Sequence, residues 1–257
     1  MQPRHRIRFP QVEGHALAQD EVYFYLIDDG GKKTKIRFHD YDHIYRHPGL
    51  YEQLFYDRLR CDSPRKVAEI LKSAIDQTNE NFTALRVLDL GAGNGLMGEA
   101  LDRYGVSRLV GVDIIPEARA AMERDRPHVY DAYHVADFCR LNGDMREELE
   151  SWGFNCLTTV AALGFGDIPP LAFMEAFNLV HAQGWVAFNI KETFFDGRDD
   201  SGFSTMIREM IFSRHITIYH LERYRHRLSM EGEPLYYYAI AAKKNGDIPS
   251  EFIARYS

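Results

Sequence analysis

Hydrophobic and polar positions divide the chain at about residue 85. Beyond it, short apolar runs alternate with stretches of helical period. Leu85–Leu90 and Arg108–Asp113 read as strands, each followed by a helix, Leu96–Tyr104 and Pro116–Asp125, the second opened by a proline. Tyr130–Ala136 and Asn155–Ala162 are further strands, and a helix runs from Pro170 to about His181. Gln183-Gly184 turns the chain into a strand over Trp185–Ile190. Phe203, Met206, Ile207, Met210 and Ile211 recur at helical spacing. Ile216–Arg227 and Leu235–Ala242 form a closing hairpin around Met230–Pro234. This alternation predicts a mostly parallel α/β sheet with helices on both faces and an antiparallel edge.

Upstream the pattern differs. Residues 1–20 show no period and are expected to be partly loose. Glu21–Ile27 and Thr34–Phe38 flank the turn residues Asp28–Gly31, predicting a β-hairpin. His39–His47 and an aromatic helix over about Pro48–Arg60 follow. Ser63-Pro64 reads as a capping serine with proline at the first helical position, and Val67, Ile70, Leu71 and Ala74 give that helix one buried face. The expected division is an extension over 1–62, made of hairpin and helical lid, and a main domain over 63–257.

Composition narrows the function. The chain has 257 residues, 45% of them hydrophobic, which suffices for a folded core. Its net charge of −7 argues against a nucleic-acid partner, because phosphate binding calls for a basic footprint. Cys61, Cys139 and Cys156 show no metal-like spacing and suggest reduced thiols. Met1–Pro10 has no apolar signal core and no run reaches membrane-spanning length, so a cytoplasmic location without membrane attachment is expected. Self-association as a homodimer is left open.

The chemistry concentrates at Val87-Leu-Asp-Leu-Gly-Ala-Gly-Asn-Gly95. Gly91, Gly93 and Gly95 join a strand to a helix, where missing Cβ atoms let backbone approach a ligand. Gly93–Gly98 also fits the GxGxxG dinucleotide pattern, with Asp113 at the spacing of a ribose-binding acid. Asp89 separates the two readings. A carboxylate at the strand end repels a pyrophosphate and suits the ammonium and sulfonium of S-adenosylmethionine.

With these residues in view, Val87–Gly95 resembles motif I of the class I S-adenosylmethionine-dependent methyltransferases. Val110-Gly-Val-Asp113 resembles their second-strand motif and Val135-Ala-Asp-Phe138 their third. The resemblance spans about residues 40–243. It implies a Rossmann-like, doubly wound seven-stranded sheet, mostly parallel with an antiparallel C-terminal hairpin. It also implies S-adenosylmethionine as cofactor and S-adenosylhomocysteine as product. The cofactor residues it implies are Asp89, Gly91, Ala92, Gly93, Gly95, Asp113, Ile114, Asp137, Phe138 and Ala161. Asp113 would hold the ribose hydroxyls, and Asp137, Phe138 and Ile114 would meet the adenine. Tyr45, Tyr51, Tyr56 and Ser63-Pro64, with Ala162–Pro169 after the fourth strand, look similar to the small-molecule "methyltransferase-like" group that includes the Williams–Beuren-region protein.

The acceptor side is less constrained. Tyr41, Tyr45, Tyr56, Lys191 and Phe194 are candidates for contact with substrate, and His43 and Glu192 for a general base. His39, His43 and His47 recur at intervals of four, but Pro48 follows and no cysteine accompanies them, so no metal is expected. Arg223, Arg225 and Arg227 alternate and are expected on one side of a strand, as a solvated edge or a grip for an anion. Ala161-Ala162-Leu163 stands where exocyclic-amine nucleic-acid enzymes of the family carry Asn-Pro-Pro-Tyr. In-line methyl transfer to a small molecule is therefore expected. A protein or RNA acceptor, or a cofactor-binding interaction module without catalysis, are the alternatives.

Overall fold

The computed structural model describes residues 3–10, 21–163, 167–193 and 202–256. The strands of the main sheet are β4 (Arg86–Leu90), β5 (Arg108–Asp113), β6 (Ala132–Val135), β7 (Cys156–Thr159), β8 (Trp185–Lys191), β9 (Ile216–Leu228) and β10 (Pro234–Lys244). They lie in the order β6-β5-β4-β7-β8-β10-β9. The first five pair in parallel, and β10 runs antiparallel to both β8 and β9. β1 (Arg6–Arg8), β2 (Tyr23–Ile27) and β3 (Lys33–Arg37) form a separate antiparallel sheet. The expected N-terminal hairpin is thus three-stranded. Arg6–Arg8 is too short to show a period in sequence and forms by pairing with Tyr25–Ile27.

The helices are α1 (Tyr41–Tyr45), α2 (Ser63–Asp76), α3 (Leu96–Asp102), α4 (Pro116–Asp125), α5 (Gly143–Ser151), α6 (Pro170–Asn178), α7 (Phe203–Phe212) and α8 (Ser250–Ile253). One face of the main sheet packs on α2 and α3 through Val67, Ile70, Leu71, Met97 and Leu101. The other packs on α6 and α7 through Phe173, Phe177, Met206, Ile207 and Met210. Strands covered on both faces read as continuous apolar runs, which is why they were legible. α5 was not, because its sequence is almost wholly polar and only Leu149 is buried. Asn142 starts it by accepting the Met145 N–H at 2.8 Å.

Ser63 does not cap α2 as its sequence suggests. Asp62 precedes the helix, and the Ser63 hydroxyl is buried against Tyr224 Oη and His226 Nδ1, each at 2.6 Å. The aromatic helix expected over Pro48–Arg60 is π-helical across Glu52–Arg58. In an α-helix, residues five apart point about 140° away from each other. Bonds of the i→i+5 kind bring them onto one face. Tyr51 and Tyr56 meet in this way, with ring centroids 6.2 Å apart.

The chain passes from β4 through α3 to β5 on one side, and β7 and β8 lie on the other. The strand order reverses between β4 and β7, so the loops after these two strands border the crevice where doubly wound sheets bind ligands. On the far side, Lys244 is fully buried at the end of α6. Its ammonium donates to the carbonyls of Phe177 and Val180 at 2.8 and 2.5 Å and reaches Asp247 at 2.6 Å. Burial lowers its pKa while Asp247 opposes that shift. A cation satisfying helix-end carbonyls is well placed. Lys244→Ala is expected to cost about 2–3 kcal/mol, read as a lower urea midpoint at unchanged m value.

Candidate active site

The loop after β4 turns through three glycines of positive φ: Gly91 at 71°, Gly93 at 55° and Gly95 at 90°. A Cβ on Gly93 would lie 2.5 Å from Tyr45 Oη, and one on Gly91 would lie 2.8 Å from Ile168 Cδ1. Both conformation and space therefore require glycine there. Hydrogen bonds fix the loop from three sides. Gly91 and Ala92 N–H donate to Val112 O, and the Gly93 N–H donates to Asp113 Oδ2 at 2.9 Å. Tyr133 Oη donates to Gly93 O at 2.7 Å.

Asp89 is the penultimate residue of β4 and is 1% exposed. Thr158 Oγ1 donates to one carboxylate oxygen at 2.7 Å and Tyr130 Oη to the other at 2.6 Å. Burial dominates its titration and lifts the pKa from 3.8 to about 6; the two hydroxyl bonds oppose the shift and Asp113 adds to it. Asp113 is also raised by burial, against hydrogen bonds from the Ile115, Gly93 and Ile114 backbone. Among the described residues, no cation pairs with either carboxylate.

These residues line a crevice of about 1180 Å³, including its open mouth. Asp89, Gly91, Ala92, Gly93, Asp113, Ile114, Asp137, Phe138 and Ala161 all border it, as do Tyr41, Tyr45 and Tyr56. Gly95 lies just behind, packed near Met122 and Tyr130. Asp137 accepts the Cys139 N–H at 2.9 Å, which holds its carboxylate beside Phe138. Ala161 sits after β7 with φ of 60°. Its N–H donates to Asn189 Oδ1 at 2.7 Å, and Asn189 Nδ2 donates to Tyr224 Oη at 2.8 Å.

Several residues reach the crevice that sequence reasoning had not assigned to it as functional groups. Tyr51 arrives through the π-helical turn. His39 and Asp167 border it together, with His39 Nδ1 3.0 Å from Asp167 Oδ2. Asp167 is 128 residues from His39 in the chain, so no local signal joins them. The π-helical turn is tied to the glycine loop by Glu52, which accepts from Asn94 Nδ2 at 2.8 Å and from Arg126 Nη1 at 2.9 Å.

Other candidates lie elsewhere. His43 is exposed and faces Asp42 at 3.8 Å, outside the crevice lining. α1 is too short to align the three histidines, and His47 instead packs edge-on against His5. Glu192 pairs with Arg223 at 2.7 Å. Lys191 is half-buried and absent from the lining. Phe194 falls outside the described residues.

The doubly wound sheet and its acid-lined crevice are the arrangement that the resemblance to S-adenosylmethionine-dependent methyltransferases implies. Residues 88–188 match the family described as "Methyltransferase domain". An RNA methyltransferase candidate from Pyrococcus horikoshii is 14% identical, with a TM-score of 0.52 over 70% of this chain and 83% of that one. Magnesium protoporphyrin IX methyltransferase from Synechocystis PCC 6803, with S-adenosylmethionine bound, is 14% identical at a TM-score of 0.49, covering 70% and 79%. The ribosomal protein L11 methylase of Lactobacillus delbrueckii subsp. bulgaricus is 15% identical at 0.46, covering 70% and 79%. No curated protein matches the sequence. The enzyme is a methyltransferase with S-adenosylmethionine as cofactor and S-adenosylhomocysteine as product.

The residues present fit that cofactor. Among the described residues, the crevice lining contains Asp89, Asp113, Asp137 and Asp167 and neither lysine nor arginine, which favours a cationic ligand over a pyrophosphate. Without ligand, the fold favours protonated Asp89, so this group subtracts stability as pH rises from 3.8 to about 6. A bound cation reverses that preference. Affinity for S-adenosylmethionine is therefore expected to rise as pH increases through about 6 and then level off. Calorimetry across this range should show the slope flattening in Asp89→Asn, with affinity above pH 7 reduced by about tenfold or more. Gly93→Ala is expected to weaken binding by about tenfold at every pH, through strain and the Tyr45 contact.

Proposed function

We propose that this enzyme methylates a small-molecule acceptor held in the tyrosine-walled part of the crevice, with His39 and Asp167 as the proton-accepting pair. The observation that carries the reading is the enclosure formed by Tyr41, Tyr45, Tyr51 and Tyr56 beside that pair. Tyr41 and Tyr45 stack at 6.1 Å, and Tyr51 lies 5.2 Å from Tyr45. Such a wall excludes water and suits a compact, partly apolar acceptor. The proposed finer kinship with the small-molecule "methyltransferase-like" group rests on three of the same tyrosines, on Ser63-Pro64 and on Ala162–Pro169.

When bound, S-adenosylmethionine supplies an activated methyl group on a sulfonium. Asp113 is assigned to the ribose hydroxyls, and Asp137 with Phe138 and Ile114 to the adenine. Asp89 supplies negative charge behind the glycine loop. The remaining work is alignment and one proton transfer. Asp167 lies 3.0 Å from Nδ1 of His39 and orients the ring, and the His39 imidazole takes the acceptor's proton. Asp167 then stabilises the imidazolium. Burial raises the pKa of Tyr41 and Tyr45 well above the ordinary value, so these phenols stay neutral and shape the wall.

The test uses methyl-labelled S-adenosylmethionine offered with a cell extract split into low-molecular-weight, RNA and protein fractions. Label is expected in the low-molecular-weight fraction, and label in RNA or protein instead would overturn the proposal. With the acceptor in hand, His39→Ala is expected to lower kcat by roughly 10²- to 10⁴-fold while leaving S-adenosylmethionine affinity unchanged. Asp167→Asn should lower kcat in the same direction, and an unchanged kcat in both variants would remove the pair from the mechanism.

A further inference from the structure

β9 and β10 pair regularly except at two irregularities, one of which lies beside the crevice. There Arg225 faces Tyr236 and Arg227 faces the adjacent Leu235, so His226 is an extra residue on β9. Uninterrupted alternation would put Arg227 on the outer side with Arg223 and Arg225. The bulge instead turns His226 and Arg227 inward, leaving Arg227 only 7% exposed.

Arg227 is poorly compensated in that position. Its Nη1 donates to the carbonyl of its neighbour Leu228 at 2.9 Å, and its guanidinium lies 5.5 Å from the Phe38 ring centroid. Among the described residues, no carboxylate lies within ion-pair distance of it. The described groups His226 and Lys191 beside it add no negative charge. Burial and then Arg227 hold His226 well below its ordinary pKa, hence neutral. Lys191 is lowered by burial first and by Arg227 second, against a smaller opposing effect of Glu192. A buried guanidinium with no described counter-charge is costly for the fold, and beside a cavity it is placed to meet an anionic ligand.

Arg227 lines a second, smaller cavity with Phe38, Cys61 and His226. His39, Tyr41, Tyr51 and Ala161 border both this cavity and the main crevice. The two spaces thus share a wall made of the proposed proton acceptor and two of the enclosing tyrosines. Their charges are opposite: carboxylates surround one, and a guanidinium backed by Lys191 borders the other.

We propose that the second cavity is a subsite for the carboxylate of the methyl acceptor, held by Arg227. The inference rests on the small-molecule reading given above. A planar carboxylate matches the guanidinium donors that Leu228 leaves available. It would anchor the acceptor at one end and present its nucleophile past His39, while the acid-lined crevice rejects the same group from the cofactor's place.

The test is titration calorimetry of the full-length protein, with and without saturating S-adenosylhomocysteine. Benzoate and phenylacetate are compared with benzamide, phenylacetamide and phenyl phosphate. Binding of S-adenosylhomocysteine itself reports separately on the cofactor reading. The acids are expected to bind about tenfold or more tightly than their amides and than phenyl phosphate. In Arg227→Gln that preference disappears, S-adenosylhomocysteine affinity is unchanged, and Tm rises because an uncompensated buried charge is gone. Arg225→Gln, on the exposed face, should change none of these. Equal or undetectable binding of acids and amides to the unmutated protein would overturn the subsite, with no variant needed. Survival of the preference in Arg227→Gln would overturn the role of Arg227, and stronger binding of phenyl phosphate would overturn the carboxylate.

Discussion

A carboxylate kept out of water at the end of the central strand organises this molecule. Asp89 occupies the middle of a sheet covered on both faces, and it is tolerated there because Thr158 and Tyr130 each donate a hydroxyl to it. Those two partners come from opposite directions. Thr158 belongs to β7 and Tyr130 to the connection before β6, so the pair spans the reversal in strand order. Tyr133, whose ring meets Tyr130 edge-on at 5.5 Å, then holds the glycine loop through Gly93 O. Satisfying one buried acid thus fixes the strand end, the loop and the neighbouring connection together.

The N-terminal extension completes the crevice from above. Its own apolar cluster includes Phe24, Ile36, Phe38, Ile44, Leu50 and Leu54. Polar bonds fasten it to the glycine loop and to α4: Glu52 to Asn94 and Arg126, Arg46 to Glu117 at 2.8 Å, and Arg124 to the Tyr45 carbonyl at 3.0 Å. Exposed pairs such as Arg46–Glu117 contribute little stability and mainly set orientation. Glu52 is largely sheltered and serves two donors, so it ties the π-helical turn to the glycine loop.

Much of this was legible in the sequence because it depends on local pattern. The alternation of β4 to α4, the glycines and the acids at strand ends all follow from period and spacing. Legibility failed where a contact is distant or a backbone irregularity resets the period. His39 and Asp167 meet only through the fold. Tyr51 and Tyr56 share a face only because the helix between them is π-helical. Ser63 looked like a cap because its neighbour is proline, but a buried histidine and tyrosine take its hydroxyl. Arg227 departs from the alternation of Arg223 and Arg225 because a bulge adds one residue to β9. His43 and Glu192 were candidates by residue type, and both lie outside the crevice lining, His43 near Asp42 and Glu192 paired with Arg223.

The central claim is electrostatic. We propose that buried carboxylates at the strand ends, and not the glycines alone, decide which ligand the loop accepts, even though Gly93–Gly98 has the form of a dinucleotide loop. The most direct measurement is competitive calorimetry of the unmutated protein with S-adenosylmethionine, NAD and NADH at neutral pH. Micromolar binding of S-adenosylmethionine, with NAD and NADH unable to displace it at about a thousandfold excess, is the predicted result. Displacement by either dinucleotide at comparable concentration would contradict it.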